Sequence, residues 1–142
     1  MAITQAVANS FKTEVLTAVH NFTVTTGDTF KIALFTDSAT LSKSTTAYSS
    51  SNEVSGTGYT TGGNSLTSVT PVLSTDTAVC DFADSSWTTA TITARGALIY
   101  NSSQSDKAVV VLDFGGDKTS TAGTFTIQFP AADASNAILR LA

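Results

Sequence analysis

The segment Ala108–Phe114 has the sequence AVVVLDF, which is an almost continuous apolar run of strand length. Such a run is typical of a central β-strand that is covered on both faces. Upstream, Thr88–Ala94 alternates small or apolar residues with threonines, Gly96 predicts a β-bulge, and Ala97–Tyr100 continues the strand. Downstream, apolar and polar residues alternate over Thr124–Phe129. These patterns predict extended strands through this part of the chain.

Turn residues separate further strand-like segments in the rest of the sequence. The additional predicted strands are Thr29–Thr36, Leu66–Leu73, Ala78–Phe82 and Ile138–Leu141. Pro71 marks the second of these as an edge strand or a bend, because proline cannot donate to a sheet ladder. Gly115-Gly116-Asp117 predicts a turn between two strands. About seven strands, spaced roughly 8–15 residues apart, predict a mainly β chain that forms an antiparallel β-sandwich or barrel.

The N-terminal segment has the pattern of a helix. Over Ile3–Phe22, apolar residues recur at helical spacing and fill one arc of a helical projection. Val7 and Phe11 lie in this apolar stripe, so both are candidate interface residues. We therefore divide the chain into an N-terminal amphipathic helix with its connector, residues 1–26, and a β-sandwich domain, residues 27–142.

A long arm, residues 37–64, matches neither pattern and is rich in serine, threonine and glycine. A loop of this length is unusual in a compact domain unless it is functional or disordered. Its low charge and spaced aromatic residues favour an ordered arm that lies on another surface, such as a neighbouring subunit. The alternative is a mobile surface loop, and the sequence does not decide between the two.

The composition excludes several classes of protein. Charged residues make up only 13% of the chain, about half the usual share, while there are 26 threonines and 18 serines. The net charge of −4 argues against a nucleic-acid-binding protein, which needs a concentrated basic patch. No apolar run approaches the roughly 18 residues of a membrane helix, and the N-terminus lacks the features of a secretory signal. We expect a protein that is made in a cytoplasm, stays soluble and binds neither nucleic acid nor a membrane.

Candidates for catalysis or metal binding are sparse. His20 is the only histidine, and we expect it to be a solvated residue on the polar side of the predicted helix. Cys80 is expected to be a small buried residue with a raised pKa, and no Cys/His cluster is present for zinc.

Aspartates are the remaining candidates for acid–base hydrolysis. They are Asp81, Asp84, Asp106, Asp113 and Asp117. Because aspartate is common in turns, where it caps backbone N–H groups, we favour turn chemistry for them. We therefore predict no enzyme, no cofactor and no metal, and we keep a hydrolase that uses two of these aspartates as the least favoured alternative.

Three aromatic residues complete the set of interface candidates. Trp87 is the only tryptophan, and a single Trp beside a strand is more often packed in a core or a subunit interface than exposed as a sugar platform. Tyr48 and Tyr59 are anchors of the arm. An alternative function, a carbohydrate-binding adhesion domain, would use these three rings.

Five motifs taken together resemble a group of small virion proteins of tailed bacteriophages, including phages of cyanobacteria. The motifs are Phe30-Lys-Ile-Ala-Leu-Phe-Thr, Asn52-Glu-Val-Ser-Gly-Thr-Gly-Tyr-Thr-Thr-Gly-Gly, Asp81-Phe-Ala-Asp-Ser-Ser-Trp, Thr91-Ile-Thr-Ala-Arg-Gly-Ala-Leu-Ile-Tyr-Asn and Val111-Leu-Asp-Phe-Gly-Gly-Asp-Lys. The resemblance covers the chain from about Lys31 to the C-terminus and leaves the N-terminal segment outside it.

The resemblance implies a structural protein of the virion. The function that we favour on this basis is a capsid cement or decoration protein, which sits on the capsid surface and contacts the major capsid protein. Because many decoration proteins are β-rich trimers, it also implies self-association, with a homotrimer favoured. The alternative within the same class is a module of the tail, neck or baseplate.

Overall fold

The chain folds into two antiparallel sheets that pack in the manner of a sandwich, with one short helix near the N-terminus. A computed structural model describes residues 2–142. The elements in chain order are β1 (Ala6–Val7), α1 (Asn9–Leu16), β2 (Phe30–Phe35), β3 (Asn64–Ser65), β4 (Ser68–Ser74), β5 (Thr77–Phe82), β6 (Ser85–Asn101), β7 (Lys107–Ile127) and β8 (Leu139–Leu141). The main sheet has the strand order β1-β7-β6-β2-β3, and the small sheet has the order β4-β5-β8. The predicted mainly β antiparallel sandwich is thus confirmed, with eight strands in the described residues where the sequence predicted about seven.

The centre of the main sheet is the apolar first part of β7. Ala108–Leu112 is buried at every position, between β1 and β6, as predicted for a central strand. Leu98 and Ile99 of β6 are fully buried beside it, and Ile32 of β2 is fully buried on the far side of β6. The accessible surface of 7107 Å² is close to the roughly 6,900 Å² that a folded monomer of this mass exposes. One copy of the chain therefore encloses a core without a partner.

Strands β6 and β7 form a long hairpin of 17 and 21 residues. The predicted turn at residues 115–117 is wrong, because β7 continues through it. Gly96 pairs with Asp113, and Ala94 pairs with Lys118. Between these two pairs, β7 advances by five residues while β6 advances by two, so β7 contains three extra residues that form a bulge. The first glycine of the predicted turn has a φ of 77° and open space around it, which lets the bulge protrude. The predicted irregularity at Gly96 is confirmed, although the extra residues belong to β7.

The predicted helix over Ile3–Phe22 is wrong in its extent, since α1 spans only Asn9–Leu16. Ala6 and Val7 are extended and pair with the edge of β7. The open backbone groups of that edge compete with the helical pattern, and an isolated helix of this length gains too little from its own hydrogen bonds to prevail. After α1 the chain turns at Ala18, whose φ is 61°. Helical spacing of apolar residues here reflects burial in the core rather than one continuous helix.

The small sheet confirms the prediction for Pro71. Strand β4 is an edge of this sheet, and its pairing with β5 is irregular between Val69 and Val72. Proline has no backbone N–H to donate to a neighbouring strand, and at this edge position no further strand pairs with β4 on its outer side.

The arm, residues 37–64, is ordered against the chain's own main sheet. The Val54 N–H donates to the Leu34 carbonyl oxygen at 2.9 Å, and isolated bridges join Ala47 to Lys107 and Thr57 to Thr91. The sequence left open an ordered arm or a mobile surface loop, and these contacts correspond to the ordered arm. The surface beneath the arm is that of its own domain.

Two glycines with nearly equal φ provide a test of how closely the arm packs. Gly63 has a φ of 74°, and a Cβ there would overlap the Ile32 carbonyl oxygen; Gly115 has a φ of 77° with nothing within 4 Å of an added Cβ. We expect Gly115→Ala to cost about 1 kcal/mol, the strain of a left-handed alanine. Gly63→Ala should cost more than about 4 kcal/mol, because a backbone contact must also move. Urea unfolding of both variants measures the difference, and equal losses would contradict the close approach.

Candidate interaction surfaces

The structure separates the five candidate interface residues into two groups. Val7 and Phe11 lie in the N-terminal part of the chain and line one cleft. Tyr48, Tyr59 and Trp87 lie with the arm and the β6–β7 hairpin. Their role as interface residues stays a prediction, and the structure shows where each side chain is engaged.

Trp87 is a packed residue. It is only 4% exposed and lies between Tyr59, with ring centroids 5.9 Å apart, and Phe125, at 6.1 Å. Its indole N–H has no acceptor in residues 2–142. The ring faces that a sugar would stack on are therefore covered by the chain itself.

Glu53 is the centre of the arm's hydrogen bonding, and the sequence analysis missed it. Its carboxylate accepts hydrogen bonds from the hydroxyls of Tyr48 and Tyr59, both at 2.6 Å, and from the backbone N–H of Gly62 at 2.7 Å. The Tyr59 hydroxyl in turn accepts from the Leu34 N–H at 2.9 Å, which ties the arm to β2. A sequence signal did exist, since Glu53 is the only glutamate in the arm and lies between its two tyrosines.

These contacts shift the tyrosine pKa values upward. Burial first, and then the hydrogen bond and negative charge of Glu53, raise the pKa of Tyr48 and of Tyr59 far above the ordinary value. Burial, followed by the charges of Asp106 and Glu53, raises the pKa of Tyr100 to about 12. Tyr48 stacks on Tyr100 with ring centroids 4.5 Å apart, so the three phenols belong to one region.

The raised pKa values predict a loss of stability at alkaline pH. Unfolded tyrosine titrates near pH 10, whereas these phenols keep their protons in the folded state. The stabilisation is complete below about pH 10 and is lost as the pH rises through the folded-state values, because the unfolded chain then binds fewer protons. Chemical unfolding between pH 8 and 12, followed with tyrosinate absorbance, should show the free energy of unfolding falling above about pH 10. The free energy of unfolding of a Tyr59→Phe variant should fall less steeply with pH. A free energy of unfolding that does not change between pH 8 and 12 would contradict the prediction.

His20 is a buried residue, so the prediction of a solvated side chain on a polar helix face is wrong. It is 7% exposed and lies beyond the end of α1, where the turn at Ala18 directs the chain back toward the core. Its Nδ1 is 3.0 Å from the Asn101 amide nitrogen, and its Nε2 is 3.3 Å from Glu14. Because the Asn101 amide donates, Nδ1 accepts and the ring proton is assigned to Nε2, which donates to Glu14. The histidine thus joins the N-terminal segment to the end of β6.

Four of the five candidate aspartates have side chains that are used in local structure, and Asp106 contributes its backbone carbonyl oxygen, which accepts from the Tyr48 N–H at 2.9 Å. Asp81 accepts from the Phe82 N–H, Asp84 from the Phe129 N–H and Asp113 from the Gly115 N–H. Asp117 is 3.3 Å from Arg95. Within residues 2–142 there is no group of three or more His, Cys, Asp or Glu side chains that could hold a metal ion.

An apolar cleft separates the N-terminal segment from one face of the small sheet. Its volume is about 710 Å³, and it has α1 and the following turn on one side and β5 and β8 on the other. Its principal apolar lining residues are Val7, Phe11, Val15, Ala78, Leu139 and Leu141. Lys12 and Arg140 are among its lining residues, and none of these residues is an aspartate or glutamate.

The face of the small sheet continues beyond the cleft as an exposed row. Leu73, Ala78 and Leu141 are paired across β4, β5 and β8, so their side chains share one face. Leu73 is 70% exposed and Leu141 is 62% exposed, while Leu16 of α1, across the cleft, is 79% exposed. The mouth of the cleft therefore has three large apolar side chains in water.

Cys80 lies inside this cleft, on β5. Burial raises the pKa of its thiol to about 11, as the sequence analysis predicted in direction. At neutral pH the group is a protonated thiol that reacts slowly, and it contributes a small apolar surface to the cleft wall.

The surface of the β6–β7 hairpin has a neutral hydroxyl face. This face consists of Ser86, Thr91, Thr93, Thr119, Thr124 and Thr126, all exposed. Two cross-strand pairs on it are hydrogen bonded at 2.9 Å, Ser86 with Thr126 and Thr93 with Thr119. None of these six side chains ionises, and the Arg95–Asp117 ion pair lies at one end of the face, two residues beyond Thr93 and Thr119.

Comparisons of the chain with protein-family models, with curated proteins and with solved structures return no match. Among residues 2–142, the structure has no helix with the length and apolarity that crossing a membrane requires.

Proposed function

We propose that this protein is a structural component of a tailed-phage virion, and most specifically a cement protein on the outer surface of the capsid. The proposal combines the resemblance of five sequence motifs with a physical feature, the neutral hydroxyl face of the β6–β7 hairpin. That face is the observation that carries the proposal, because it suits a large contact between proteins and offers no reacting groups.

The hydroxyl face lowers the cost of forming a large protein contact. Burying ionised side chains requires that each charge be desolvated and paired again, whereas hydroxyls can exchange hydrogen bonds with a partner's backbone at little cost. A contact without ion pairs is also insensitive to ionic strength. Both properties suit a protein that must remain attached to a shell in changing salt.

The stiffness of this face also supports attachment. The cross-strand hydroxyl pairs and the β-branched threonines restrict side-chain rotation before binding. Because less side-chain entropy is then lost on association, weak contacts repeated over a symmetric shell add up to stable attachment.

Quantitative mass spectrometry of purified phage particles from the host that carries this gene tests the proposal. A cement protein should be present on the order of hundreds of copies per particle, in a fixed ratio to the major capsid protein. About a dozen copies would support the alternative, a neck or baseplate module, and absence from the particles would overturn both.

A pair of variants tests the role assigned to the hydroxyl face. Thr93→Lys places a charge in the middle of the face, and Thr13→Lys places the same charge on the exposed surface of α1. In a reconstitution with empty capsids, Thr93→Lys should bind weakly and Thr13→Lys should bind like the unaltered chain. Equal binding by both variants would show that the face does not contact the capsid.

The alternative function as a carbohydrate-binding domain has less support. Trp87 is covered on both sides, and the hydroxyls of Tyr48 and Tyr59 are bonded to Glu53. A glycan array with specific hits would nevertheless restore this alternative.

A further inference from the structure

The apolar cleft and the row of side chains at its mouth form a surface that the described chain leaves uncovered. Leu16, Leu73 and Leu141 are the most exposed large apolar residues in the structure, and all three border this cleft or continue its wall. A contiguous apolar patch on a soluble protein usually marks an interaction site. A small molecule held inside the cleft would leave these three side chains in water, whereas a second polypeptide would cover them.

The chain itself presents a surface that complements the cleft. The β4–β5 hairpin projects Leu73 beside a turn that contains Asp76. Asp76 is exposed and has no ion-pair or hydrogen-bond partner within residues 2–142. Across the cleft, Lys12 contacts only the neutral side chain of Asn9, at 3.1 Å. The hairpin thus offers an apolar ridge with a free carboxylate, and the cleft offers an apolar groove with a free ammonium group.

The position of the hairpin favours a reciprocal contact. The hairpin and the cleft border each other on the same side of the molecule, because Leu73 lies in one row with Ala78 and Leu141 of the cleft wall. When a ridge and its complementary groove are neighbours on one surface, a two-fold axis between two copies places each ridge against the other groove.

We propose that the cleft is the contact between two copies of this chain, in which Leu73 of each copy packs against Leu16 of the other and Asp76 faces Lys12. This inference deepens the proposed function and rests on it for the high local concentration of copies on a shell. It predicts a two-fold dimer contact, which differs from the homotrimer that the sequence resemblance implied.

Sedimentation velocity of the full chain over a wide concentration range is the first test. The unaltered protein should show a reversible monomer–dimer equilibrium. Leu73→Asp should weaken association by at least roughly 30-fold, the loss expected at the centre of an interface. Val72→Asp is the matched control, because Val72 is 57% exposed on the same strand but faces the opposite side of the sheet. Equal losses from both substitutions would overturn the assignment of this face.

A charge exchange tests the orientation of the two copies. Lys12→Asp and Asp76→Lys should each weaken association roughly tenfold by placing like charges together. The variant that carries both substitutions should regain most of the affinity. If the double variant is weaker than either single variant, the proposed pairing of these two residues is wrong.

Cys80 reports directly on whether the cleft is covered. Modification of its thiol by a soluble disulfide reagent should be slow in concentrated protein and faster on dilution, as the dimer dissociates. Leu73→Asp should react at the fast rate at every concentration.

A monomer at all concentrations, a dimer with an unprotected thiol, or dodecanoate binding in the cleft without association would each overturn the inference. None of these results affects the copy number in phage particles, so the failure of this inference is distinguishable from the failure of the proposed function.

Discussion

Val110→Asp is expected to abolish cooperative folding of the chain at pH 7. Val110 lies on β7, paired with Val7 on one side and Ile99 on the other, and it is almost completely buried. An aspartate there places a carboxylate among apolar side chains without a cation to pair with. The cost of an unpaired buried charge is several kcal/mol, on the order of the 5–15 kcal/mol that stabilises a typical domain.

Far-ultraviolet circular dichroism and urea unfolding measure this effect. Thr124→Asp is the matched control, because it introduces the same side chain on the same strand at an exposed position. It should change the free energy of unfolding by less than about 1 kcal/mol. A Val110→Asp variant that unfolds cooperatively with near-normal stability would show that β7 is not the centre of the core.

The central strands could be predicted from the sequence because their pattern has one physical cause. Continuous apolar residues over Ala108–Leu112 require cover on both faces, and alternating residues over Thr88–Ala94 require cover on one. In both segments the structure buries the residues that the pattern marks as apolar. The same rule gave a wrong prediction over Ile3–Phe22, where a continuous helix was expected. The apolar residues there are buried by a short strand, a short helix and a turn in succession.

Three other features depend on contacts that are distant in sequence. His20 is buried because Asn101, 81 residues away, provides a partner for its ring nitrogen. The Gly115-Gly116 bulge remains within β7 because β6 pairs on both sides of it. The cleft exists because α1 and β8, at opposite ends of the chain, border the same space. Local patterns contain no information on such pairings, so a single sequence does not reveal them.

The arm combines one partly buried polar contact with a few buried apolar anchors, Ala39, Leu41 and Val54. The arm is rich in small polar residues, yet Glu53 gathers two tyrosine hydroxyls and the Gly62 N–H at one carboxylate. Hydrogen bonds to a charged group contribute more than neutral ones, and bonds that share an acceptor order several parts of a loop together. We therefore expect the whole arm to lose its ordered structure together when this carboxylate is removed.

Glu53→Ala is expected to release the arm and to lower the free energy of unfolding by about 3 kcal/mol, because three donors lose their common acceptor. Glu53→Gln should have a smaller effect, about half as large, since its amide oxygen still accepts while its NH₂ group faces the donors. Hydrogen exchange of the Leu34 and Gly62 amides should quicken in both variants, and chymotrypsin should cleave after Tyr48 and Tyr59.

A matched carboxylate in the same arm separates this role from a general effect of charge. Asp37 is exposed and has no side-chain hydrogen bond within residues 2–142, so Asp37→Asn removes one negative charge without removing a contact. That variant should keep the stability and the slow proteolysis of the unaltered chain. Tyr59→Phe should cost about 2 kcal/mol, because it removes a bond to Glu53 and leaves the Leu34 N–H without its acceptor. If Glu53→Ala and Asp37→Asn lose equal stability, the arm is held by its packing and not by the carboxylate.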